Sequence, residues 1–389
     1  MKHAIRWIPA TVAVCLFAFT ATAQTNGTLV QFGEPYTLHS KILNEDRPYW
    51  VYLPPSYKPT RNHAPQKYPV LYLTDGESSF PWACEVVQFM GDMLQIPELI
   101  VVAIPNTDRN RDLTPTHDSG VASSGGGPLF ENFLSQELAP EIDSKFRTAP
   151  YRILFGHSIG GALAADSFLR QTNGFQAYIT VDPALWWDNA ILLQRAKGFL
   201  PTTNSHAAIF IATANHSGEQ PPNQIKGDSE RFISILKEKA VPGLRFGYQY
   251  FDAEDHASSR LPGLHDGLRF IFEDYKPENF GDPGLNDAPS VENHFKELSA
   301  HLGFEMPPPE AYVDKIGSWM LDAHQTDKAI GLFQLNVANY PTAASAYAHL
   351  ADAYSAKGEK DLAIQNYEKA LELNPKMGSA KKALEKLQQ

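Results

Sequence analysis

Residues 156–161, with the sequence Gly-His-Ser-Ile-Gly-Gly, carry the clearest chemical signal in the chain. They directly follow the apolar run 153–155 and precede a segment rich in Ala and Leu, so a strand, a sharp turn and a helix are predicted in succession. A serine at such a turn needs small neighbours, and the turn presents its hydroxyl above the sheet at the positive end of the helix. Ser158 is therefore the predicted nucleophile, and the alternative is a purely structural glycine-rich turn.

A serine hydroxyl is a weak nucleophile at neutral pH and needs a base within hydrogen-bonding reach. His256 lies just past the predicted strand 246–251, in a loop followed by a predicted helix. This is where the histidine of such a triad is expected, because it comes last along the chain. The other histidines considered flank an earlier strand, belong to the last helix or fall near the C-terminus: His206, His216, His265 and His349.

The base needs a carboxylate to orient it, and this acid is expected between serine and histidine, after the predicted strand 208–212. The loop that follows supplies Glu219 as its first carboxylate, which makes Glu219 the first choice. Asp228 lies further along. Asp182 offers another route, because it ends the strand 177–181 and could reach the histidine from a neighbouring loop.

Two backbone N–H donors are needed for the oxyanion that forms when the serine attacks. The amide of Ile159 is the first, since it directly follows the nucleophile. The turn after the predicted strand 70–73 supplies the second, from Gly76 or Glu77.

Side chains that could line a substrate pocket follow the strand 177–181. Trp187 is predicted to line the pocket, because aromatic residues near the end of a central strand can form the wall of a pocket. Asp182, which ends that strand, is predicted to line it as well. The alternative for Trp187 is helix packing. The spacing of His, Cys and carboxylates predicts no metal site, and no glycine-rich loop predicts a nucleotide, so no cofactor is expected.

Short β-rich runs alternate with helical patterns over residues 35–275, which predicts a mostly parallel sheet covered on both faces. Two runs, 36–43 and 49–53, are separated by a turn-prone segment and predict an antiparallel start. Six further strands bring the count to eight: 69–73, 99–104, 152–155, 177–181, 208–212 and 246–251. The predicted helices include 130–145, 161–170, 230–240 and 264–275.

The composition changes over residues 276–309, where glycine and proline mark a connector around a short helical piece. Aligning Pro341 with Pro375 then reveals a 34-residue self-similarity, the period of a tetratricopeptide repeat. The second copy is the cleaner one, and residues 378–387 predict a closing helix. Because two repeats are few for an independent array, residues 310–389 are expected to pack on the preceding domain. A peptide-binding groove is the alternative.

The N-terminus has the pattern of an export signal. Lys2 and Arg6 precede the apolar run 7–19, and small residues at 21–23 predict cleavage before Gln24. The predicted domains are therefore a signal peptide at 1–23, a hydrolase domain at 24–275, a linker at 276–309 and the repeat module at 310–389.

The chain carries 33 Lys and Arg against 44 Asp and Glu, a net charge of -11, which argues against nucleic acid as a partner. No membrane span is expected, and a periplasmic or secreted location follows.

Several segments together resemble the esterase family that includes esterase D and the ferric enterobactin esterases. They are 70–76, 156–161, 185–188, 255–258 and 266–272, and the resemblance covers about residues 28–275. It implies an α/β-hydrolase fold and hydrolysis of a small-molecule carboxylic ester through an acyl-enzyme, without a cofactor. Siderophore, feruloyl and acetyl esters are all substrates within that resemblance. The segment Asp182-Pro183-Ala184 departs from the Ser-Pro-Ser of many relatives, so the substrate does not follow from it.

Two other functions stay open. A serine peptidase or acyltransferase would use the same serine. A protein from another class would bind a protein or peptide partner through its repeats and keep the hydrolase domain only as support. The intact serine, histidine and turn favour the enzyme.

Overall fold

The sheet is built from eight strands in the order β1-β2-β4-β3-β5-β6-β7-β8. The first two pairings, β1 with β2 and β2 with β4, are antiparallel, and all others are parallel. The predicted eight-stranded, mostly parallel sheet with an antiparallel start is therefore confirmed. The strands are β1 (Glu34–Ser40), β2 (Glu45–Tyr52), β3 (Tyr68–Leu73), β4 (Ile100–Ala103), β5 (Thr148–His157), β6 (Ala177–Val181), β7 (Ala208–Ala214) and β8 (Arg245–Phe251).

The computed structural model describes residues 32–58, 62–172, 174–202, 206–218, 223–276 and 287–389. The predicted signal peptide lies outside these residues. No helix in the described ranges is long and apolar enough to cross a membrane.

The central strands form the core because their residues are apolar on both faces. Every residue of β3, β4, β6 and β7 is buried, as expected of strands covered by helices on both sides. Strand β1, at the edge, alternates between exposed and partly buried residues. The helices of this region are α1 (Gly76–Asp92), α2 (Arg109–Leu113), α3 (Gly127–Phe133), α4 (Ala139–Lys145), α5 (Ile159–Arg170), α6 (Trp187–Gly198), α7 (Gln224–Glu238) and α8 (Arg260–Ile271).

A run of helices follows the sheet and packs against it. Helix α9, with 15 residues, is the helical piece predicted within the connector, and α10 to α14 form two helical hairpins and a closing helix. Their bounds are α9 (Ala288–Leu302), α10 (Glu310–Asp322), α11 (Thr326–Asn339), α12 (Ala344–Lys357), α13 (Lys360–Leu373) and α14 (Gly378–Gln388).

Small residues bring the paired helices together, as the repeat pattern requires. A Cβ on Gly317 in α10 would lie 2.5 Å from the ring of Phe333 in α11, so only glycine allows this approach. The second repeat uses Ala351 and Ala363, which are both fully buried between α12 and α13.

The helical region is fixed to the sheet by apolar and polar contacts. The ring of Phe304 stacks on that of Tyr151 in β5 at 4.9 Å between centroids. The backbone amide of Ser345 donates to the carbonyl oxygen of Asn62 at 3.0 Å. The expected packing of the repeats on the preceding domain is therefore observed, and one core continues from the sheet into the helices.

Candidate active site

Ser158 occupies the turn between β5 and α5 in a conformation that most residues avoid. Its φ is 59° and its ψ is -118°. The cost is offset because the backbone is held on both sides: the Ser158 amide donates to the carbonyl of Val181 at 2.9 Å, and the Ala184 amide donates to the carbonyl of Ser158 at 3.0 Å. Such strain at a serine between a strand and a helix is typical of a nucleophile elbow.

Two glycines make the turn possible. A Cβ on Gly156 would lie 2.0 Å from the carbonyl oxygen of Gly160, and a Cβ on Gly160 would lie 2.4 Å from Oγ1 of Thr74. The sharp turn predicted from the Gly-x-Ser-x-Gly pattern therefore has a direct steric cause.

His256 and Asp182 come together beside this turn. Nδ1 of His256 lies 3.2 Å from Oδ2 of Asp182, and the carboxylate is fully buried, whereas the imidazole is 38% exposed. The His256 loop is held in place because Oδ1 of Asp255 accepts the amides of Ala257 and Ser258, both at 2.8 Å. A buried carboxylate bound to one nitrogen of a half-exposed imidazole is the arrangement of an acid that orients a general base.

Three hydrogen-bond donors surround the Asp182 carboxylate, from His256, Ser259 and Ala214, and the ring of His216 lies at ion-pair distance. Oδ2 also accepts the hydroxyl of Ser259 at 3.1 Å, and Oδ1 accepts the amide of Ala214 at 2.8 Å and lies 3.2 Å from Nε2 of His216. Burial by itself raises the pKa of Asp182, but the hydrogen bonds from His256 and Ala214, together with the nearby ring of His216, outweigh it and hold that pKa below its usual value. The acid therefore stays ionised despite its burial.

His157, next to the serine, also contacts the predicted base. Its Nε2 donates to the carbonyl oxygen of His256 at 2.7 Å, and the two rings lie 4.4 Å apart. Burial and the neighbouring His256 lower the pKa of His157 to about 4, so its ring is neutral at physiological pH. Neither His157 nor His216 was singled out from the sequence, because both contacts join segments that are far apart along the chain.

The three carboxylates considered for the acid have different outcomes. Asp182 is the one that the structure brings to His256. Asp228 lies on α7 and pairs with Arg231 one turn later, and burial raises its pKa. Glu219, the first choice from the sequence, lies outside the described residues.

The backbone amides predicted as oxyanion donors differ in whether they already have a hydrogen-bond acceptor. The amide of Ile159, at the start of α5, has no acceptor within the described ranges and is available to a ligand. The amide of Gly76 donates to the carbonyl of Ile104 at 3.0 Å, because the turn after β3 is tied to the end of β4. Gly76 is therefore not free to serve, and the amide of Glu77, the other candidate, has no acceptor among the residues described.

The turn after β3 is braced by a cation that sequence analysis did not single out. Nε and one terminal nitrogen of Arg109 lie 2.6 and 3.0 Å from the two carboxylate oxygens of Asp75. The amide nitrogen of the Asn106 side chain adds a bond of 2.7 Å to the same carboxylate. Arg109 is also 3.5 Å from the carbonyl of His157, so it links the turn to the nucleophile elbow.

Trp187, predicted in the pocket wall, is only 5% exposed. Its indole nitrogen donates to the carbonyl of Thr116 at 3.2 Å, so this ring is bonded to the loop between α2 and α3. The adjacent Trp186 is 42% exposed and is the member of the pair that solvent reaches. Asp182, also predicted to line the pocket, is fully buried behind His256. The pocket-lining roles of Trp187 and Asp182 stay predictions, and Trp186 is the more exposed ring of the tryptophan pair.

One cluster of possible metal ligands is found in the described part of the chain. His157, Asp182 and His256 offer ligand atoms within 4.8 Å of one another. The sequence pattern did not predict it, because the three residues lie at or beyond the ends of three different strands, β5, β6 and β8. Nε2 of His157, Nδ1 of His256 and both oxygens of Asp182 are engaged in the hydrogen bonds given above.

A cavity of about 770 Å³ lies elsewhere, at the start of β3. Tyr68, Tyr275, Met306 and Tyr340 are among its lining residues, so it is formed between the sheet and the helical region. It is separate from Ser158, which lies beyond the other end of the strands.

The strand order, the strained serine and the His-Asp pair define an α/β hydrolase. The family model described as "Putative esterase" matches residues 40–216, and a tetratricopeptide repeat model matches residues 344–377. A solved structure of an IroE-like serine hydrolase from Shewanella oneidensis is 30% identical with a TM-score of 0.68, and the match covers 78% of this chain and 98% of that one. The chain therefore belongs to this esterase family, and it carries a tetratricopeptide repeat.

Two curated relatives are more distant. The ferri-bacillibactin esterase BesA of Bacillus subtilis is 27% identical over 250 residues, which cover 58% of this chain and 86% of that protein. The siderophore triacetylfusarinine C esterase of Aspergillus fumigatus is 27% identical over 245 residues, covering 53% and 82%. An uncharacterised protein of Capnocytophaga ochracea, 19% identical with a TM-score of 0.60, shares the fold over 91% of this chain.

Proposed function

We propose that this esterase hydrolyses its substrate through an acyl-enzyme, with Ser158 as nucleophile, His256 as general base and Asp182 as the acid that orients it. The observation that carries the proposal is the contact of 3.2 Å between His256 and the buried carboxylate of Asp182, beside a serine held at a positive φ. Asp182 replaces Glu219 in this proposal, because His256 Nδ1 already has a buried carboxylate partner.

The chemistry follows from these positions. The Ser158 hydroxyl attacks the ester carbonyl while His256 takes its proton, and the oxyanion is held by the amides of Ile159 and Glu77. His256 then protonates the departing alcohol. Water, activated by the same imidazole, attacks the acyl-enzyme and releases the acid. Asp182 stays ionised throughout and stabilises the imidazolium that forms in each half-reaction.

The substrate class proposed is the ester of a siderophore. Support comes from the printed names of the two curated relatives, one acting on ferri-bacillibactin and the other on triacetylfusarinine C. Feruloyl and acetyl esters remain the comparison substrates, since the sequence resemblance alone includes them.

Export is part of the proposal. The basic residues and apolar run at positions 1–23 have the pattern of a cleaved signal, which would place the enzyme in the periplasm or outside the cell. A protein or peptide partner of the repeats is a further possibility that the matched repeat model supports in general terms.

The test combines labelling with turnover. A fluorophosphonate probe is expected to label the wild type, to lose all labelling in Ser158→Ala and to label His256→Ala slowly. Ferri-bacillibactin, triacetylfusarinine C, a feruloyl ester and an acetylated sugar are then compared by kcat/KM. A folded wild type that is not labelled would refute the serine mechanism, and preference for the feruloyl or acetyl ester would refute the siderophore assignment while leaving the mechanism intact.

A further inference from the structure

The loop after β7 supplies a histidine to the triad where sequence analysis expected the acid. His216 lies two residues beyond the end of β7, and its side chain is 1% exposed. Its Nε2 lies 3.2 Å from Oδ1 of Asp182, and its ring stands nearly edge-on to that of His256 at 5.6 Å between centroids.

The two oxygens of Asp182 have separate tasks. Oδ2 faces His256 and Ser259, whereas Oδ1 faces the amide of Ala214 and the ring of His216. A carboxylate can rotate about its last bond, and rotation would break the contact with His256. Donors on Oδ1 resist that rotation: the amide of Ala214 is one, and Nε2 of His216 lies 3.2 Å from the same oxygen.

We propose that His216 is a positioning residue, which donates its Nε2 proton to Asp182 as a neutral imidazole and so fixes the carboxylate against His256. The proposal rests on the proposed function, in which Asp182 orients the base. It assigns a role to a histidine that fitted the base less well than His256 in the sequence, and it explains why this histidine is buried beside a carboxylate.

The charge state matters as much as the contact. A protonated His216 would place a cation 3.2 Å from Asp182 and offset the negative charge that stabilises the His256 imidazolium. The titratable groups facing this carboxylate are His216 and His256, with His157 stacked on the far side of His256. A neutral His216 with its proton on Nε2 is therefore the form that helps catalysis.

The test compares two substitutions. His216→Leu keeps the volume but removes the donor, and we expect kcat to fall about 10- to 100-fold, the usual worth of a hydrogen bond to a charged group, with KM within about threefold. We also expect the acid limb of the pH profile of kcat/KM to move to higher pH. His256 must be neutral to accept a proton, and a carboxylate that has lost a donor holds the imidazolium form more tightly. His216→Gln, whose amide can donate, should restore most of kcat and return the limb to its original position.

His265→Leu is the matched control, since His265 lies on α8 and its Nδ1 bonds Asp266 rather than Asp182. It should keep the wild-type kcat and pH profile. An unshifted acid limb in His216→Leu, or a His216→Gln variant as impaired as the leucine variant, would overturn the proposal and leave His216 as a packing residue.

A second measurement does not depend on folding of the variants or on activity. In wild-type protein labelled with 15N-histidine, two-bond proton-nitrogen correlations at pH 7 should show His216 as the neutral Nε2–H tautomer. A protonated ring or the Nδ1–H tautomer would overturn the proposal. A wrong proposed function and a wrong role for His216 give different results. If the proposed function fails, the wild type itself is not labelled by the fluorophosphonate, whereas a wrong role for His216 leaves that labelling intact.

Discussion

The ring of His157 donates a hydrogen bond of 2.7 Å to the backbone carbonyl of His256, so the residue that precedes the nucleophile holds the loop that carries the base. This bond joins the end of β5 to the loop after β8, and these two strands are not neighbours in the sheet. It keeps the base near the serine without using either nitrogen of the His256 ring.

The low pKa of His157 predicts a pH-dependent stability. Its pKa is about 4 in the folded chain and about 6.5 when unfolded, so the unfolded chain alone binds this proton between those values. The free energy of unfolding should therefore fall as the pH falls from 6.5 to 4, by about 3 kcal/mol at most, with no further loss from this group below pH 4. His157→Gln keeps a donor but does not titrate, and chemical denaturation at several pH values should show a flatter slope.

His265→Gln serves as the control and should keep the wild-type slope. An identical slope in His157→Gln would contradict the assignment. The depressed pKa of Asp182 acts in a separate window, because its contribution is lost only as the pH falls below its unfolded value of about 3.8.

The identity of the acid can be tested with three substitutions. Asp182→Asn should lower kcat by about three to four orders of magnitude, because it removes the charge and favours the wrong tautomer of His256. Glu219→Gln and Asp228→Asn should stay within a few-fold of the wild type. A large loss in Glu219→Gln together with an active Asp182→Asn would restore the acid first chosen from the sequence.

The elbow should not tolerate a methyl group. Gly160→Ala places a Cβ 2.4 Å from Oγ1 of Thr74, and we expect it to cost about 1–3 kcal/mol of stability and to displace Ser158. Thermal unfolding and fluorophosphonate labelling measure the two effects. Gly227→Ala is the control, since a Cβ there meets nothing within 4 Å and alanine favours a helix interior by about 0.5–1 kcal/mol. Equal stability and labelling of Gly160→Ala and the wild type would rule out the steric explanation.

A buried carboxylate fixes the repeat module to the sheet domain. Glu310, 5% exposed, bonds Nδ1 of His63 at 2.7 Å, the amide of Ala64 at 3.1 Å and the hydroxyl of Ser345 at 2.7 Å. Glu310→Ala should destabilise the protein by about 2–3 kcal/mol, because these donors lose a charged acceptor. Calorimetry should show this loss, whereas Glu372→Ala, an exposed residue paired with Lys369, should change stability by less than about 0.5 kcal/mol.

The same contact predicts a second pH dependence. The hydrogen bond that His63 donates to Glu310 raises the pKa of His63, so its stabilising effect is complete below about pH 6.5 and is lost as the pH rises through the raised value. The melting temperature should therefore fall over this range in the wild type and less so in Glu310→Gln. An unchanged pH dependence in the glutamine variant would contradict the link.

The amino-acid sequence by itself determined the parts that depend on local pattern. Apolar runs predicted the strands, the 34-residue period predicted the helical hairpins, and small residues around Ser158 predicted the turn, because each of these signals lies within a few adjacent residues. The position of His256 could also be predicted, since it follows from the order of strands along the chain.

Only the tertiary structure decided which side chains meet. The acid beside His256 comes from the end of β6, and the loop after β7 contributes His216 to the same carboxylate. The order of strands along the chain was the only basis for ranking Glu219 and Asp182 as candidates for the acid. The contact between Asp182 and His256 depends instead on how two neighbouring strands end and on a positive φ at Asp182. The commitment of the Gly76 amide to Ile104 was hidden for the same reason, because backbone donors have no side-chain signature and their partners are set by the packing of strands distant in sequence.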